Sequence, residues 1–238
     1  MVMRKILPLF CVALMACAGV TDDSSGDEDL TTEGEEAANA LTQRDVHEPN
    51  LSDDERAAVL ERYSRLDPSH IVPKTLLEKA IVMFDANKTK LDNDGHLAVV
   101  DFSKHSGKKR FFVVDINTGA VSSYVVAHGS GSDPNNTGIP TRFSNTPNSN
   151  MSSLGYYVTA EVYDGKHGRS LRMDGVSNTN SNVRARAVVI HGASYVNEGS
   201  AKQGRSWGCF ALPENEKDHV IDIMQGGALI YAGQSGTN

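Results

Sequence analysis

The sequence predicts a mainly β, α+β fold: a β-sandwich or closed sheet, preceded by a short helical segment and carrying one late helix. Three observations lead there. From Leu91 onward the chain is a series of short apolar or alternating runs, separated by turns rich in Gly, Ser and Asn. Before Leu91, two stretches carry apolar residues at helical spacing. After Leu212 a single stretch does so.

The first element, residues 1–18, reads as an export signal. Arg4 and Lys5 precede Ile6 to Met15, an apolar run of about ten residues that is too short to span a bilayer. Two processing routes fit. Leu14-Met15-Ala16-Cys17 resembles a bacterial lipobox, in which Cys17 becomes the lipidated first residue and a membrane anchor. Ala16-Cys17-Ala18 also satisfies the small-x-small rule for ordinary cleavage before Gly19. Both routes predict a protein exported to the bacterial cell envelope and periplasmic in location.

Residues 19–50 read as an acidic, disordered tether. Asp22 to Glu36 holds eight acidic residues and no basic one, too little apolar surface to offset the entropy of ordering. The chain's net charge of −7 is carried by this stretch, so the remainder is near neutral. No nucleic-acid surface is expected on such a balance.

Residues 51–90 form the helical appendage. Ser52-Asp53-Asp54-Glu55 is a capping box ahead of Ala58, Val59, Tyr63 and Leu66, and Pro68 stops that helix. Pro73 and Thr75 open a second helix with Leu76, Leu77, Ala80, Ile81 and Phe84 on one face. Residues 91–234 form the β domain, with 235–238 as a tail. Strands are expected at Leu97–Phe102, Arg110–Ile116, Val121–Ala127, Gly155–Tyr163, Arg169–Met173, Arg186–His191 and Ala228–Ala232. Asn117-Thr118-Gly119 is a hairpin turn. Glu214 to Gln225 is the late helix, stopped by Gly226-Gly227, with Val220, Ile221 and Met224 facing inward. Residues 128–153 are rich in Gly, Ser, Asn and Pro, and a loop that long inside a compact domain is usually functional.

The chemistry gathers near the C-terminus. Of the three cysteines, Cys11 and Cys17 lie in the export segment, so Cys209 has no disulfide partner in the folded part. A cysteine attacks an acyl carbon as its thiolate and needs a base. His191-Gly192 closes the apolar run Val188-Val189-Ile190, eighteen positions before Cys209. Alone, each residue has a structural reading; His191 together with Ser206-Trp207-Gly208-Cys209 favours a nucleophile and its base over that reading. Gly208 allows close backbone approach, and the N–H groups of Gly208 and Cys209 are candidate oxyanion donors.

Papain-like enzymes place cysteine before histidine. Sortases place histidine first but much further away, with an arginine following the cysteine, and none follows Arg205 here. The order and spacing resemble the YkuD-type L,D-transpeptidase pattern, His followed after about fourteen to seventeen residues by Ser/Thr-His-Gly-Cys. Trp207 stands where that pattern has its second histidine, and Ala211 replaces a polar residue. The chain is similar to the murein L,D-transpeptidase catalytic-domain subgroup with Arg-Ser-Trp-Gly-Cys. Asp101-Phe102-Ser103, His128-Gly129-Ser130-Gly131-Ser132, Phe143-Ser144-Asn145, Ser152-Ser153-Leu154-Gly155-Tyr156, Gly165-Lys166-His167-Gly168 and Val189-Ile190-His191-Gly192-Ala193-Ser194-Tyr195 extend the likeness over roughly residues 75–233. Phe210 stands where the subgroup usually has Pro.

The resemblance implies an L,D-transpeptidase-like β-sandwich acting on peptidoglycan stem peptides, with Cys209, His191, Gly208 and Ser206 as the catalytic set. Cys209 would attack the carbonyl between a diamino acid and terminal D-alanine. The acceptor would be an amine of a neighbouring stem or of a protein, or water in an L,D-carboxypeptidase. No cofactor or metal is implied. His128 is read as a cleft residue or a turn histidine. Arg172, Arg184, Arg186 and Arg205 are read as carboxylate binders or surface ion-pair partners. Tyr195 and Trp207 are read as cleft walls or core. Two other classes remain open: a zinc peptidase built on His167 and Asp174, which lacks a downstream His-x-His element, and a non-catalytic wall-binding lipoprotein of the same fold.

Overall fold

The structure, a computed structural model, describes residues 45–236. The export segment, Cys17 and the acidic run of the tether lie outside the described residues. Residues 45–50, expected to belong to the tether, pack instead on the helical segment. Val46 is fully buried, and Asn87 donates to the His47 carbonyl at 2.9 Å while its Oδ1 accepts from the His47 N–H at 3.3 Å.

Helix α1 (Asp53–Arg62) starts as its sequence dictates. Ser52 Oγ accepts from the Glu55 N–H, and the Glu55 carboxylate accepts from the Ser52 N–H, which satisfies two donors that the first turn would leave bare. Helix α2 (Lys74–Asn87) has Pro73 at its N-cap and buries Leu76, Leu77, Ala80, Ile81 and Phe84.

Ten strands follow: β1 (His96–Asp101), β2 (Phe111–Asp115), β3 (Val121–Tyr124), β4 (His128–Gly129), β5 (Gly155–Gly165), β6 (Gly168–Gly175), β7 (Val189–Gly192), β8 (Arg205–Ser206), β9 (Phe210–Leu212) and β10 (Leu229–Gly233). Helix α3 (Lys217–Met224) lies between the last two. Eight strands form one mixed sheet in the order β3-β2-β1-β10-β5-β6-β7-β9, and β4 pairs with β8 in a separate ribbon. β1 runs parallel to β10 and β7 parallel to β9, while the other neighbours in the large sheet are antiparallel.

Period-two alternation sorts the central strands into two cores. Leu97, Val99, Phe112, Val114, Val158 and Leu229 meet α2 on one face. Ala98, Val100, Phe111, Val113, Tyr157 and Ile230 meet α3 on the other. Both faces of β1 and β2 are therefore buried, which is why these runs read as continuous apolar sequence. The sheet folds over on itself. Six strand steps separate β9 from β2, roughly 29 Å in a flat sheet, yet the rings of Phe210 and Phe111 lie 6.2 Å apart. Phe210 also meets Tyr157 of β5 at 5.2 Å. The bend has a local cause in β5, where Ala160 and Glu161 together oppose Arg172 as a bulge. The expected sandwich is thus one folded sheet closed around its second core.

The expected hairpin is present. Asp115 Oδ1 accepts from the N–H groups of Asn117 and Thr118, and Gly119 takes φ +78°. A side chain there would also strike the Arg65 carbonyl, 2.5 Å from its Cβ position. Most strand ends shift by one or two residues; α1 ends at Arg62, before the expected Tyr63 and Leu66, and three further boundaries shift by three residues. β3 stops at Tyr124, and the Ala127 N–H bonds the Ala211 carbonyl at 2.9 Å, so the chain has crossed to β9. β7 begins at Val189 rather than Arg186, because Ala187 takes φ +50°. α3 is shorter than Glu214–Gln225, since Glu216 and Lys217 first turn back to the Pro213 carbonyl. The short strands β4, β8 and β9 were not expected.

Candidate active site

The parallel pair β7 and β9 sets the site. Its register matches Ile190 with Phe210 and His191 with Ala211. Ile190 and Phe210 both point into the second core. Alternation therefore places His191 on the opposite face, with Ala211 and with Cys209, which immediately precedes β9. The seventeen residues between the pair are spent on an excursion that returns beside its starting strand.

His191 is 2 % exposed. Its Nδ1 bonds the Gly192 carbonyl at 2.7 Å. An Nδ1–H donor at that bond leaves the lone pair on Nε2, the tautomer a general base needs. Cys209 is half-buried and bears the only thiol among the described residues. The thiol donates toward the Ala187 carbonyl at 3.7 Å. That carbonyl is aimed by Ala187's left-handed backbone, a conformation a non-glycine residue adopts against its preference.

The turn before Cys209 is held from inside. Ser206 Oγ donates to the Cys209 carbonyl at 2.8 Å and accepts from the Gly208 N–H at 3.1 Å. Gly208, expected as an oxyanion donor, thus spends its N–H on Ser206. Its φ of +126° requires glycine, and a Cβ there would lie 2.7 Å from the Met151 carbonyl oxygen. The long loop 128–153 therefore forms the floor under the nucleophile.

Arg186 ties that loop down. Its guanidinium donates to the Ser144 and Met151 carbonyls at 2.9 and 2.6 Å and to Ser153 Oγ at 2.7 Å. One terminal nitrogen lies 3.3 Å from the Cβ position of Gly208. Burial lowers this guanidinium's pKa, against the opposing pull of the neighbouring Tyr157 and Cys209. Arg186 is thus a clamp beside the thiol.

His128 is not a cleft residue, because it is fully buried. Arg110, also fully buried, donates to His128 Nδ1 at 2.7 Å, which leaves the proton on Nε2, facing Asp133 at 3.4 Å. Burial, then the Arg110 charge, pulls His128 down to about 4, so it is neutral at neutral pH. Burial likewise pulls Arg110 down to about 9, against the pull of Asp101 and Asp133. Burial would raise the Asp133 carboxyl, but N–H bonds from Thr137 and Gly138 hold it below its usual range. Arg205 donates to the Asp133 backbone carbonyl. With His128 paired to Arg205 and Gly129 to Ser206, this network anchors the strand that leads into Cys209.

Tyr195 and Trp207 are both exposed, at 39 % and 38 %, so neither is a core residue. Trp207 stands next to the Gly208-Cys209 turn, while Tyr195 covers Gly204. Arg184 is an ion-pair residue bound to Asp174 and Glu161. Arg172 pairs with Glu161 at 3.2 Å and lies 4.1 Å over the Tyr163 ring. With Asp174 taken by Arg184, the zinc pair is not assembled, and no cluster of three metal-ligating side chains occurs among the described residues. His167 is instead stacked on His191, centroids 4.3 Å apart.

Sequence reasoning did not single out Arg110, Asp133 or Ala187. Arg110 had a legible signal, a charged residue heading an apolar strand. Asp133 and Ala187 had none, because backbone conformation and a partner far along the chain define their roles.

No curated protein matches the chain. Among solved structures it is similar to an L,D-transpeptidase from Xylanimonas cellulosilytica, at 16 % identity over 58 % of this chain and 60 % of that one, TM-score 0.36. It is similar to an L,D-transpeptidase from Mycobacterium smegmatis, at 14 % identity over 58 % of each chain, TM-score 0.37. It is also similar to the helical cell shape determining protein Pgp2 from Campylobacter jejuni, at 9 % identity over 60 % of this chain and 48 % of that one, TM-score 0.37. The chain thus spans less than two thirds of the length of these structures. The family model of the L,D-transpeptidase catalytic domain matches residues 69–232, well over half of the sequence, and takes in α2, the whole sheet but its last residue, and both His191 and Cys209. The chain belongs to the L,D-transpeptidase catalytic domain family.

Proposed function

We propose that this protein is a cysteine-dependent acyl transferase of peptidoglycan stem peptides. The observation that supports the reading is the β7–β9 register, in which His191 lies opposite Ala211 and Cys209 comes two residues earlier, just ahead of β9.

The reaction runs in two halves. His191 Nε2 takes the proton from Cys209 Sγ, and the thiolate attacks the carbonyl carbon between the diamino acid and D-alanine. Negative charge builds on the carbonyl oxygen next to the Gly208-Cys209 turn and the Arg186 guanidinium. Collapse breaks the C–N bond. The D-alanine amine leaves with the proton from His191, and a thioester remains on Cys209. In the second half an acceptor amine loses a proton to His191 and attacks the thioester, and the departing thiolate recovers that proton. A stem amine or a protein amine makes the enzyme a transpeptidase, and water makes it a carboxypeptidase. Exposed Trp207 walls the acyl site. The export segment and the lipobox-like Cys17 support a place in the bacterial cell envelope, periplasmic and anchored to a membrane.

The test is intact-mass spectrometry of the protein incubated with disaccharide-tetrapeptide, beside a Cys209→Ala control. A product lacking D-alanine or cross-linked through the third residue, absent from the control, is expected. Absence of both product and thioester adduct from folded protein, with an amine acceptor supplied, would favour a wall-binding role. Product that survives in Cys209→Ala and vanishes with a chelator would restore the zinc reading.

A further inference from the structure

His167 and His191 lie face to face, with ring centroids 4.3 Å apart and planes 23° from parallel. The two arrive from different places. His191 is buried on β7, whereas His167 is exposed in the turn Lys166-His167, between the paired residues Gly165 and Gly168. That turn is short, and Gly168 takes φ +69°. The β5–β6 hairpin that carries it is hydrogen-bonded to β7, with Ser170 opposite His191. The histidine is therefore delivered by the tip of a hairpin whose second strand pairs with the strand of His191.

The contact constrains something the hydrogen bond alone does not. The Nδ1 bond to the adjoining Gly192 carbonyl holds one edge of the His191 ring. Rotation about that edge would still swing Nε2. A ring stacked on its face restricts the rotation and keeps water off that face.

We infer that His167 is a positioning residue for acyl transfer: it holds the plane of the His191 imidazole so that Nε2 addresses the Cys209 thiol. This rests on the reading of His191 as the base. His167 itself takes no proton in the reaction, so any flat ring of similar size serves.

The experiment compares wild type, His167→Ala and His167→Phe on the same tetrapeptide substrate. It measures kcat and KM for D-alanine release and the urea midpoint of unfolding. His167→Ala is expected to lower kcat roughly ten- to a hundredfold, as a base held out of line does. KM and the unfolding midpoint should stay near wild type, because the side chain is exposed. His167→Phe should recover most of the lost kcat. An active wild type matched within twofold by His167→Ala overturns the inference alone. A His167→Phe protein as impaired as His167→Ala also overturns it, since the imidazole's protons would then be needed. A folded wild type that releases no D-alanine overturns the acyl-transfer reading and this inference with it.

Discussion

Two buried histidines flank the segment that carries Cys209, and their surroundings give them opposite characters. His128 sits on β4, against β8; His191 sits on β7, against β9. His128 is bonded on both nitrogens, to a buried arginine on one side and an aspartate on the other. Its pKa is driven to about 4 and its proton stays put. His191 is bonded at Nδ1 by a backbone carbonyl and meets a second imidazole on its face. A histidine saturated by charge partners works as structural cement. One whose Nδ1 meets a neutral backbone acceptor is not locked between charges in that way. Strand position does not separate the two, since His128 opens β4 and His191 is next to last in β7. What the partner strands bring alongside does.

The comparison is broken most severely at His191. His191→Ala should lower kcat for D-alanine release by roughly a thousandfold, the scale of losing a general base, with the fold intact by circular dichroism. The same substitution at His128 should cost stability first and activity second. An equal loss of kcat in His128→Ala with unchanged stability would erase the distinction.

The next effect is on stability. Arg110→Met leaves His128 and Asp133 buried without the guanidinium beside them. Removing one member of a buried charged network typically costs about 3–5 kcal/mol, and urea unfolding should show a loss of that size. A change below about 1 kcal/mol would mean that the network is solvated in solution.

The pH dependence follows from the depressed His128 pKa. The folded state binds its proton near pH 4, whereas an unfolded histidine binds it near 6.5. Between those values the unfolded chain holds more protons, so stability falls as pH falls through that window and is complete above it. The full loss is on the order of 3 kcal/mol. Unfolding of wild type and His128→Gln, followed from pH 7 to 4, should show a shallower decline in the variant. Parallel curves would assign the acid sensitivity to the carboxylates.

The smallest effect lies outside both regions. Gly119→Ala places a side chain at φ +78° and against the Arg65 carbonyl. It should cost about 2 kcal/mol by urea unfolding and leave kcat unchanged at 25 °C. A fall in kcat would show that the hairpin communicates with the site.

Much of this was legible in the residues. The Ser52 capping box, the Asn117-Thr118-Gly119 turn and the apolar runs of β1, β2 and β10 depend on neighbours within a few positions, and the proposed nucleophile–base pair depends on side-chain chemistry itself. Patterns of that range are written locally. The two-residue strands β4 and β8 were not legible, because two residues carry no periodicity. The character of His128 was not legible either. Its Arg110 partner lies eighteen positions away and its environment exists only when the sheet has closed.

The sequence by itself marked which atoms can react: one cysteine beyond residue 18, one histidine at the close of an apolar run ahead of it, and a glycine that lets the backbone come close. Only the tertiary structure decided which histidine is sealed in a charged network, which arginines are already spent, and what stacks on His191. The physical reason is that reactivity belongs to a side chain, whereas protonation, burial and orientation belong to whatever packs against it. Here those neighbours are assembled by a parallel strand pair and a folded sheet, from residues far apart along the chain.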